Sequence, residues 1–386
     1  MKNLLRIVLE LLFSFQNLTK NKILIIDTTP YSGSSGYALY KFLKKMNDCY
    51  EVELFQEDKS KRIQNYLKRI LKVKGAAVVI STHGIPCLLK RKKQIVIELW
   101  HGIPFKAMGL LDKSLDLRSK KLAIKLWNKV DVIISSSVTY STLINACLGT
   151  YNNPYVITGF PRNDYLFDNG RLQELLLKND KEFRGKRVIL FVPTFRKGYI
   201  NRVEGIERDE NVFGFEEFDM KAFDDFLGEN RALLIVKLHP FEEKFYKNVY
   251  EKMNLSNFYF LTSEVLESSK IDLYEILPDV DLLITDYSSI YFDFLLLNKP
   301  IIFVKPDFEQ YSKIRGVLLS PYDFWTPGPK VTSQDDLQKR ISEIFSGKDN
   351  YAERRKELKD IFFEHQDGNS SERILQVIKD KLSYFK

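Results

Sequence analysis

The chain has little cysteine and little histidine. Cys49, Cys87 and Cys147 stand far apart with no paired spacing. That excludes a disulfide framework and a zinc finger or ribbon, and it reads as reduced, buried thiols of a cytosolic protein. No stretch supplies the roughly 20 consecutive apolar residues that span a bilayer. A full G-x-G-x-x-G or Walker pattern is also missing. Gly33-Ser34-Ser35-Gly36 is only a fragment of one, so neither a dinucleotide nor an ATP site is expected. Asp279-Val280-Asp281 has the outward form of a metal-binding pair. It falls at the amino end of an expected strand, the edge of a parallel sheet that ligands do not use. No metal site is expected.

Acidic charge is scarce in one region. From Lys59 to Lys129 there are 18 Lys and Arg against Glu98, Asp112 and Asp116, a local excess of 15 in a chain whose net charge is +8. A basic half implies an anionic partner. Met1–Leu18 points to a membrane surface rather than to nucleic acid. Leu4, Leu5, Val8, Leu9, Leu11, Leu12 and Phe15 are interrupted by Arg6 and Glu10, which suits an amphipathic helix lying in the interface as well as one packed on the first domain. Arg6 and the lack of a small-residue cleavage site argue against a signal peptide. A second basic amphipathic stretch, Lys61–Lys74, has Ile63, Leu67, Ile70 and Leu71 at helical spacing. It reads as a solvated surface helix or as a further membrane contact.

At 386 residues with 44% hydrophobic content, the chain is long enough for two domains. Short apolar runs alternate with helical patterns throughout. Strands are expected near Ile23–Asp27, Val52–Phe55, Ala76–Ser81, Ile95–Leu99, Asp131–Ser135 and Tyr155–Thr158. A second series follows near Val188–Val192, Leu233–Leu238, Phe258–Leu261, Leu282–Thr285 and Ile301–Val304. Nearly continuous apolar strands are covered on both faces, so the sheets are expected to be parallel with helices on each side. The polar stretch Phe167–Lys186 reads as the linker. The fold class is therefore α/β, with two Rossmann-like parallel-sheet domains facing a central cleft and terminal helices over Tyr351–Lys386.

Two of the four histidines end apolar strands, one in each half. His101 follows Ile95–Leu99 and His239 follows Ala232–Leu238. Ligands bind at the carboxyl ends of such strands. Asp286-Tyr287-Ser288-Ser289 follows another strand and opens a helical stretch. The two serines there could bind a phosphate or simply cap the helix. Asp367-Gly368-Asn369-Ser370-Ser371 repeats the pattern before the last helix, with capping the simpler reading. Pro193-Thr194-Phe195-Arg196 and Pro161-Arg162-Asn163-Asp164 each place an arginine after a strand, suited to bidentate phosphate binding. Several phosphate-binding elements and two histidines suit transfer from a diphosphate donor, with a neutral histidine as base. The residues alone leave glycosyl and phosphoryl transfer both open. His83 and His365 have no comparable context, and His83 reads as structural.

One ordered set of motifs goes further. It runs Leu99-Trp100-His101-Gly102-Ile103-Pro104, Thr158-Gly159-Phe160-Pro161-Arg162-Asn163-Asp164, Val192-Pro193-Thr194-Phe195-Arg196, Lys237-Leu238-His239-Pro240, Ile284-Thr285-Asp286-Tyr287-Ser288-Ser289 and Lys299-Pro300-Ile301-Ile302-Phe303. Arg315-Gly316, Pro327-Gly328-Pro329 and Asp367-Gly368-Asn369-Ser370 complete it. The set resembles the CDP-glycerol glycerophosphotransferase family of teichoic acid glycerol-phosphate primases and polymerases, from about Ile23 to the C-terminus.

The resemblance implies a GT-B fold and an enzyme peripheral to the cytoplasmic face of the cell membrane. It would act in teichoic acid or capsular polymer synthesis, moving glycerol phosphate from CDP-glycerol to a hydroxyl of a lipid-linked acceptor and releasing CMP. The acceptor would be a polyprenyl-diphosphate-linked saccharide or a glycerol-phosphate chain. An anionic membrane surface would be a partner, and nucleic acid would not. No cofactor is expected, since CDP-glycerol is a substrate. The implied division is residues 1–20 as a membrane-associating segment, 21–168 as the acceptor-side domain and 187–386 as the CDP-donor domain. His101 would be the catalytic base, with His239 a second catalytic group on the diphosphate. Arg162, Thr194, Arg196, Asp286, Ser288, Ser289, Arg315, Gly328, Asp367 and Ser370 would line the substrates. CDP-ribitol is an alternative donor, because the motifs report the cytidine diphosphate and not the polyol. A GT-B glycosyltransferase using a nucleotide sugar is the alternative reaction. Ile103 departs from the more usual threonine of this motif, and Phe191-Val192 from Tyr-Ala.

Overall fold

The computed structural model describes residues 10–11, 17–46, 49–56, 62–84, 90–179, 185–195 and 211–384. They form two compact units. The first comprises 1–101, 109–168 and 362–386, and the second comprises 102–108 and 169–361.

The first unit is built on six strands: β1 (Thr19–Ile26), β2 (Glu51–Phe55), β3 (Ala76–Ser81), β4 (Ile95–Glu98), β5 (Val132–Ser135) and β6 (Tyr155–Ile157). Their order is β2-β1-β3-β4-β5-β6, and every pairing is parallel. β3, β4 and β5 are buried at every residue, the pattern that a sheet covered on both faces requires. The strand order reverses between β1 and β3, which marks their carboxyl ends as the crevice of a doubly wound sheet. Ser34 starts the helix Ser35–Lys45 by accepting from Gly36 N. The helix Val138–Leu148 starts at Ser137, whose Oγ accepts from Tyr140 N, and ends at Gly149 at φ 69°. Each is a local stop or start signal that the sequence carries.

The second unit repeats the plan with β7 (Arg187–Phe191), β8 (Ala232–Val236), β9 (Phe258–Phe260), β10 (Leu282–Thr285), β11 (Ile301–Val304) and β12 (Lys330–Val331). The order is β12-β11-β10-β7-β8-β9, again parallel throughout. Its switch point lies between β7 and β10. Phe191, Phe213, Phe223, Leu234, Ile284 and Ile302 anchor a large core, each fully buried side chain of this kind contributing about 1.5–3 kcal/mol.

Eleven of these strands coincide with the expected ones to within a few residues. β12 was not expected, because two residues carry no period. The chain passes from the first unit to the second at Asp168–Asn169, inside the expected linker Phe167–Lys186, and that stretch also carries the helix Leu172–Leu177 with Leu172, Leu175 and Leu176 buried. Its start is fixed by Leu172 N donating to Asp279 and its approach by Arg171 pairing with Glu275. The last helix, Ser370–Ser383, groups with the first unit and not with the second. Cys147 is buried, but Cys49 is exposed; it precedes the edge strand β2. Cys87 lies outside the described residues.

The expected segment Met1–Leu18 is described only at residues 10, 11, 17 and 18. There the buried Glu10 carboxylate meets the buried Lys74 ammonium at 3.5 Å. Lys74 belongs to the helix Arg62–Gly75, where Ile70 and Val73 are also buried. That stretch packs one face on the sheet while Leu71 stays 40% exposed.

Candidate active site

In the first unit the carboxyl ends of β1, β3 and β4 carry a tight polar cluster. β4 ends on Glu98, which is fully buried. Its Oε2 accepts from Ser81 Oγ at 2.6 Å and from Gly84 N at 3.2 Å, and its Oε1 accepts from Trp100 N at 3.0 Å. Burial raises its pKa to about 8 in spite of those three donors. Trp100 has φ 56°, a left-handed conformation that a bulky residue rarely adopts. The next residue, His101, is exposed. Its ring lies on Trp100 at 4.5 Å on one side and on His83 at 4.6 Å on the other, the two imidazoles within 5° of parallel.

His101 Nδ1 is 3.1 Å from the carbonyl oxygen of Thr82. A carbonyl only accepts, so Nδ1 carries the hydrogen and the neutral ring keeps its basic lone pair at Nε2. This is the tautomer a general base needs. His83 pairs through Nδ1 with Thr82 Oγ1. Desolvation, assisted by the Arg162 charge and opposed by Asp27, holds His83 below the usual imidazole range. His83 is therefore part of this cluster and not the isolated structural residue that its sequence context suggested.

Arg162 is 5% exposed, and its Nη1 donates to Gly33 O at 3.2 Å and His101 O at 3.1 Å. It ties two loops of the crevice together through their carbonyl groups. After β1, the buried Asp27 accepts from Ser34 Oγ at 2.5 Å and from Thr29 N, which fixes the Gly33-Ser34 turn.

The chain enters the second unit directly after His101. Gly102–Met108 belongs there: Ala107 N donates to Gly316 O, Leu318 N donates to Phe105 O, and Lys106 bridges Val317. Phe105 packs edge-on against Tyr291 and Tyr322. Ile103 is 1% exposed, so its missing hydroxyl is a change in packing. Gly316 has φ 68°, and a Cβ there would lie 3.1 Å from Ala107 Cβ. Glycine is required after Arg315, which ends the helix Phe308–Arg315.

At the second switch point Asp286, 1% exposed, accepts from Thr194 N and Tyr287 N, both at 2.6 Å. It thus joins the loops after β7 and β10. Thr285 Oγ1 adds a bond to Val192 O. Thr194 Oγ1 is buried and has no hydrogen-bond partner among the described residues. Ser288 and Ser289 are half-buried, and the Ser289 side chain does not cap its helix. His239 is exposed, with Phe195 packed on its ring at 4.4 Å. Its loop is anchored by the buried Lys237, which donates to Glu243 Oε1 at 2.6 Å and Leu238 O at 2.7 Å. Arg196 lies outside the described residues.

Three of the expected substrate residues make contacts within the protein. Gly328 sits at the amino end of β11, where a Cβ would come within 2.0 Å of Ile301 O. That is the edge away from Thr194 and Asp286. Asp367 accepts from Asn369 N and pairs with Arg373. Ser370 N and Ser371 N donate to the Asp164 carboxylate at 2.8 and 2.9 Å, so a protein carboxylate already occupies the start of that helix. Asp281, at the other rejected acidic pair, accepts from Val188 N.

Residues 10–380 match the family model described as CDP-glycerol:poly(glycerophosphate) glycerophosphotransferase. The chain belongs to that family. Among its relatives is the teichoic acid ribitol-phosphate polymerase TarL of Staphylococcus aureus, 30% identical over 295 residues that cover 74% of this chain and 48% of that protein. The teichoic acid poly(glycerol phosphate) polymerase of Bacillus spizizenii is 26% identical over 389 residues, 94% of this chain and 93% of that one. The chain spans about half the length of the ribitol-phosphate polymerases it matches. The wall teichoic acid polymerase TagF, in a structure soaked with CDPG, superposes with a TM-score of 0.78 at 21% identity over 98% of this chain and 93% of that chain. Staphylococcus aureus MnaA, in its co-structure with UDP, gives 0.53 at 14% identity over 94% and 97%. Both likenesses are of fold. With the two parallel six-stranded sheets, they identify the glycerophosphotransferase family member as GT-B.

Proposed function

We propose that the protein transfers glycerol phosphate from CDP-glycerol to a hydroxyl of a lipid-linked acceptor at the cytoplasmic face of the membrane, in teichoic acid synthesis. The observation that supports this is His101 at the end of β4, whose Nδ1 meets the Thr82 carbonyl; Nε2 is assigned as the base. The acceptor oxygen attacks the phosphorus that bears glycerol. His101 Nε2 takes the hydroxyl proton, the P–O bond to the cytidylate breaks, and CMP leaves. His239, Thr194, Ser288, Ser289 and Arg315 are the groups assigned to the diphosphate, with Arg196 two residues after Thr194 and Asp286 joining the loops of Thr194 and of the two serines. Positioned donors of this kind stabilise charge on the transferring group.

Membrane contact is supported by the surface after Gly102–Met108. The helix Leu117–Trp127 has no buried residue. Leu117 is 77% exposed and Leu122 48%, beside Arg118, Lys120, Lys121 and Lys125. Apolar tips set among positive charge suit an anionic bilayer interface. Among the described residues no helix is long and apolar enough to cross a membrane.

Ribitol phosphate is the second reading, favoured by the ribitol-phosphate polymerases among the relatives. The test incubates the protein with CDP-glycerol, CDP-ribitol or a UDP-sugar and a lipid-linked acceptor, and identifies the nucleotide released. CMP from CDP-glycerol, reduced at least about 10²-fold in His101→Ala with donor binding retained, is expected. CMP from CDP-ribitol alone changes the polymer. UDP from a UDP-sugar would refute phosphotransfer.

A further inference from the structure

The two imidazoles that stack in the first unit come from different loops, one after β3 and one after β4. His83 follows β3 and is succeeded by Gly84 at φ 102°. His101 follows β4 and is preceded by Trp100 at φ 56°. Each histidine is therefore one residue from a backbone conformation that L side chains seldom adopt. A single side chain touches both special residues. Glu98 Oε2 accepts from Gly84 N and Glu98 Oε1 accepts from Trp100 N, at 3.2 and 3.0 Å, while Ser81 Oγ holds the carboxyl group from below the loops at 2.6 Å. Glu98 is fully buried, in a strand whose other residues, Ile95, Val96 and Ile97, are apolar.

We propose that Glu98 is a positioning residue that clamps the His83 and His101 loops to one another and so sets the stacked imidazole pair. The main-chain N–H of Gly84 and of Trp100 are both turned toward one carboxyl group, and the left-handed Trp100 turn delivers the His101 ring to Thr82 O and to the face of His83. Removing the carboxyl leaves the Gly84 and Trp100 N–H groups without that acceptor, and the two loops lose the carboxyl that ties them together. The glutamine substitution keeps one carbonyl oxygen and puts an NH2 where the other was. One of the two N–H groups then faces a donor, so only one half of the clamp survives. The kinetic consequence rests on His101 being the base; the stacking does not.

The test uses the full chain with labelled histidine. Only four imidazoles give signals, those of His83, His101, His239 and His365. In the wild type the His83 and His101 ring protons should be displaced upfield by each other's ring currents. In Glu98→Ala both should move toward ordinary histidine positions and titrate independently, while His239 and His365 stay in place. Glu98→Gln should fall between the two, and it serves as the test if the alanine variant does not fold. Transfer in Glu98→Gln should lose turnover with KM for the donor unchanged, and Glu98→Ala should approach a loss of about 10²-fold, the scale of a small misplacement of a catalytic group. His83 and His101 signals that stay in place in both variants would overturn the clamp. Signals that move as expected in a protein that releases no CMP from either CDP-polyol would uphold the clamp and refute the transferase function alone.

Discussion

Glu98 makes a second prediction, about stability and pH. Its carboxyl has a usual pKa of 4.5 and is raised to about 8 in the folded chain, with desolvation the largest cause. The unfolded chain therefore ionises this group near pH 4.5 while the folded chain keeps it protonated until near pH 8. Between those limits the native state binds one more proton, so stability falls as pH rises, by about 1.4 kcal/mol per pH unit for one group. Across the full window the loss amounts to about 5 kcal/mol, of the order of half a typical domain's stability. Below pH 4.5 both states are protonated and above pH 8 both are ionised, so the slope vanishes at either side. The acid form is accommodated without breaking the clamp, because Ser81 Oγ, 2.6 Å from Oε2, can accept the extra hydrogen. Urea unfolding at a series of pH values from 5 to 9 measures the effect, with Glu98→Gln as the reference that lacks the titration. Tryptophan fluorescence reports on the first unit through Trp100 and Trp127 once Trp325 of the second unit is replaced by phenylalanine. The wild type minus Glu98→Gln difference should decline toward alkaline pH and level off above about pH 8. A difference that is flat across the range would show that Glu98 is ionised in the native state from low pH, and the desolvation argument would fail.

Thr194→Val keeps the side-chain volume and removes a buried hydroxyl that has no partner among the described residues. It should leave the protein as stable or up to about 1 kcal/mol more stable, while the donor KM rises about tenfold, the value of one hydrogen bond to a charged group; a lower melting temperature with unchanged KM would assign the hydroxyl to structure. Gly328→Ala puts a Cβ 2.0 Å from Ile301 O. It should cost about 1–3 kcal/mol by overpacking, seen as a lower melting temperature with donor KM unaltered, and wild-type stability would contradict the placement at β11. Replacing Lys120, Lys121 and Lys125 together by glutamate should cut the fraction bound to anionic vesicles by at least tenfold, at about 1 kcal/mol per charge near such a surface. Undiminished binding would mean that the helix Leu117–Trp127 does not face lipid.

Strand positions were legible because parallel strands buried on both faces read as unbroken apolar runs. Ala76–Ser81, Leu282–Thr285 and Ile301–Val304 fall where the runs do. β12 escaped because Lys330 and Val331 are too short to show a period. The domain assignment of the C-terminus was not legible. The helix Ser370–Ser383 is held by Asp164 and, through Arg373, by Thr158 O. Those bonds join residues more than 200 positions apart, and no local pattern announces them. The same distance hid the contact of Ser370 with Asp164, since a polar turn before a helix looks alike whether it waits for a phosphate or for a carboxylate from elsewhere in the chain.

The site was legible where chemistry sits at the end of a strand and illegible where one residue acts through another. His101, His239, Thr194 and Asp286 follow apolar runs; the second unit's switch point brings Thr194 to Asp286, and the neighbouring strands β3 and β4 bring Thr82 to His101. Arg162 was visible as an arginine but not as a buried one, because its partners are the carbonyl groups of Gly33 and His101, and backbone acceptors leave no mark in a sequence. Glu98 was visible as one of only three acids among 18 basic residues, and that scarcity was the available signal. A lone carboxylate in an apolar strand is costly to bury unless donors surround it, so its presence there foretold convergent N–H groups. In an otherwise apolar β4 those groups had to come from the neighbouring loops, which are the loops that carry His83 and His101.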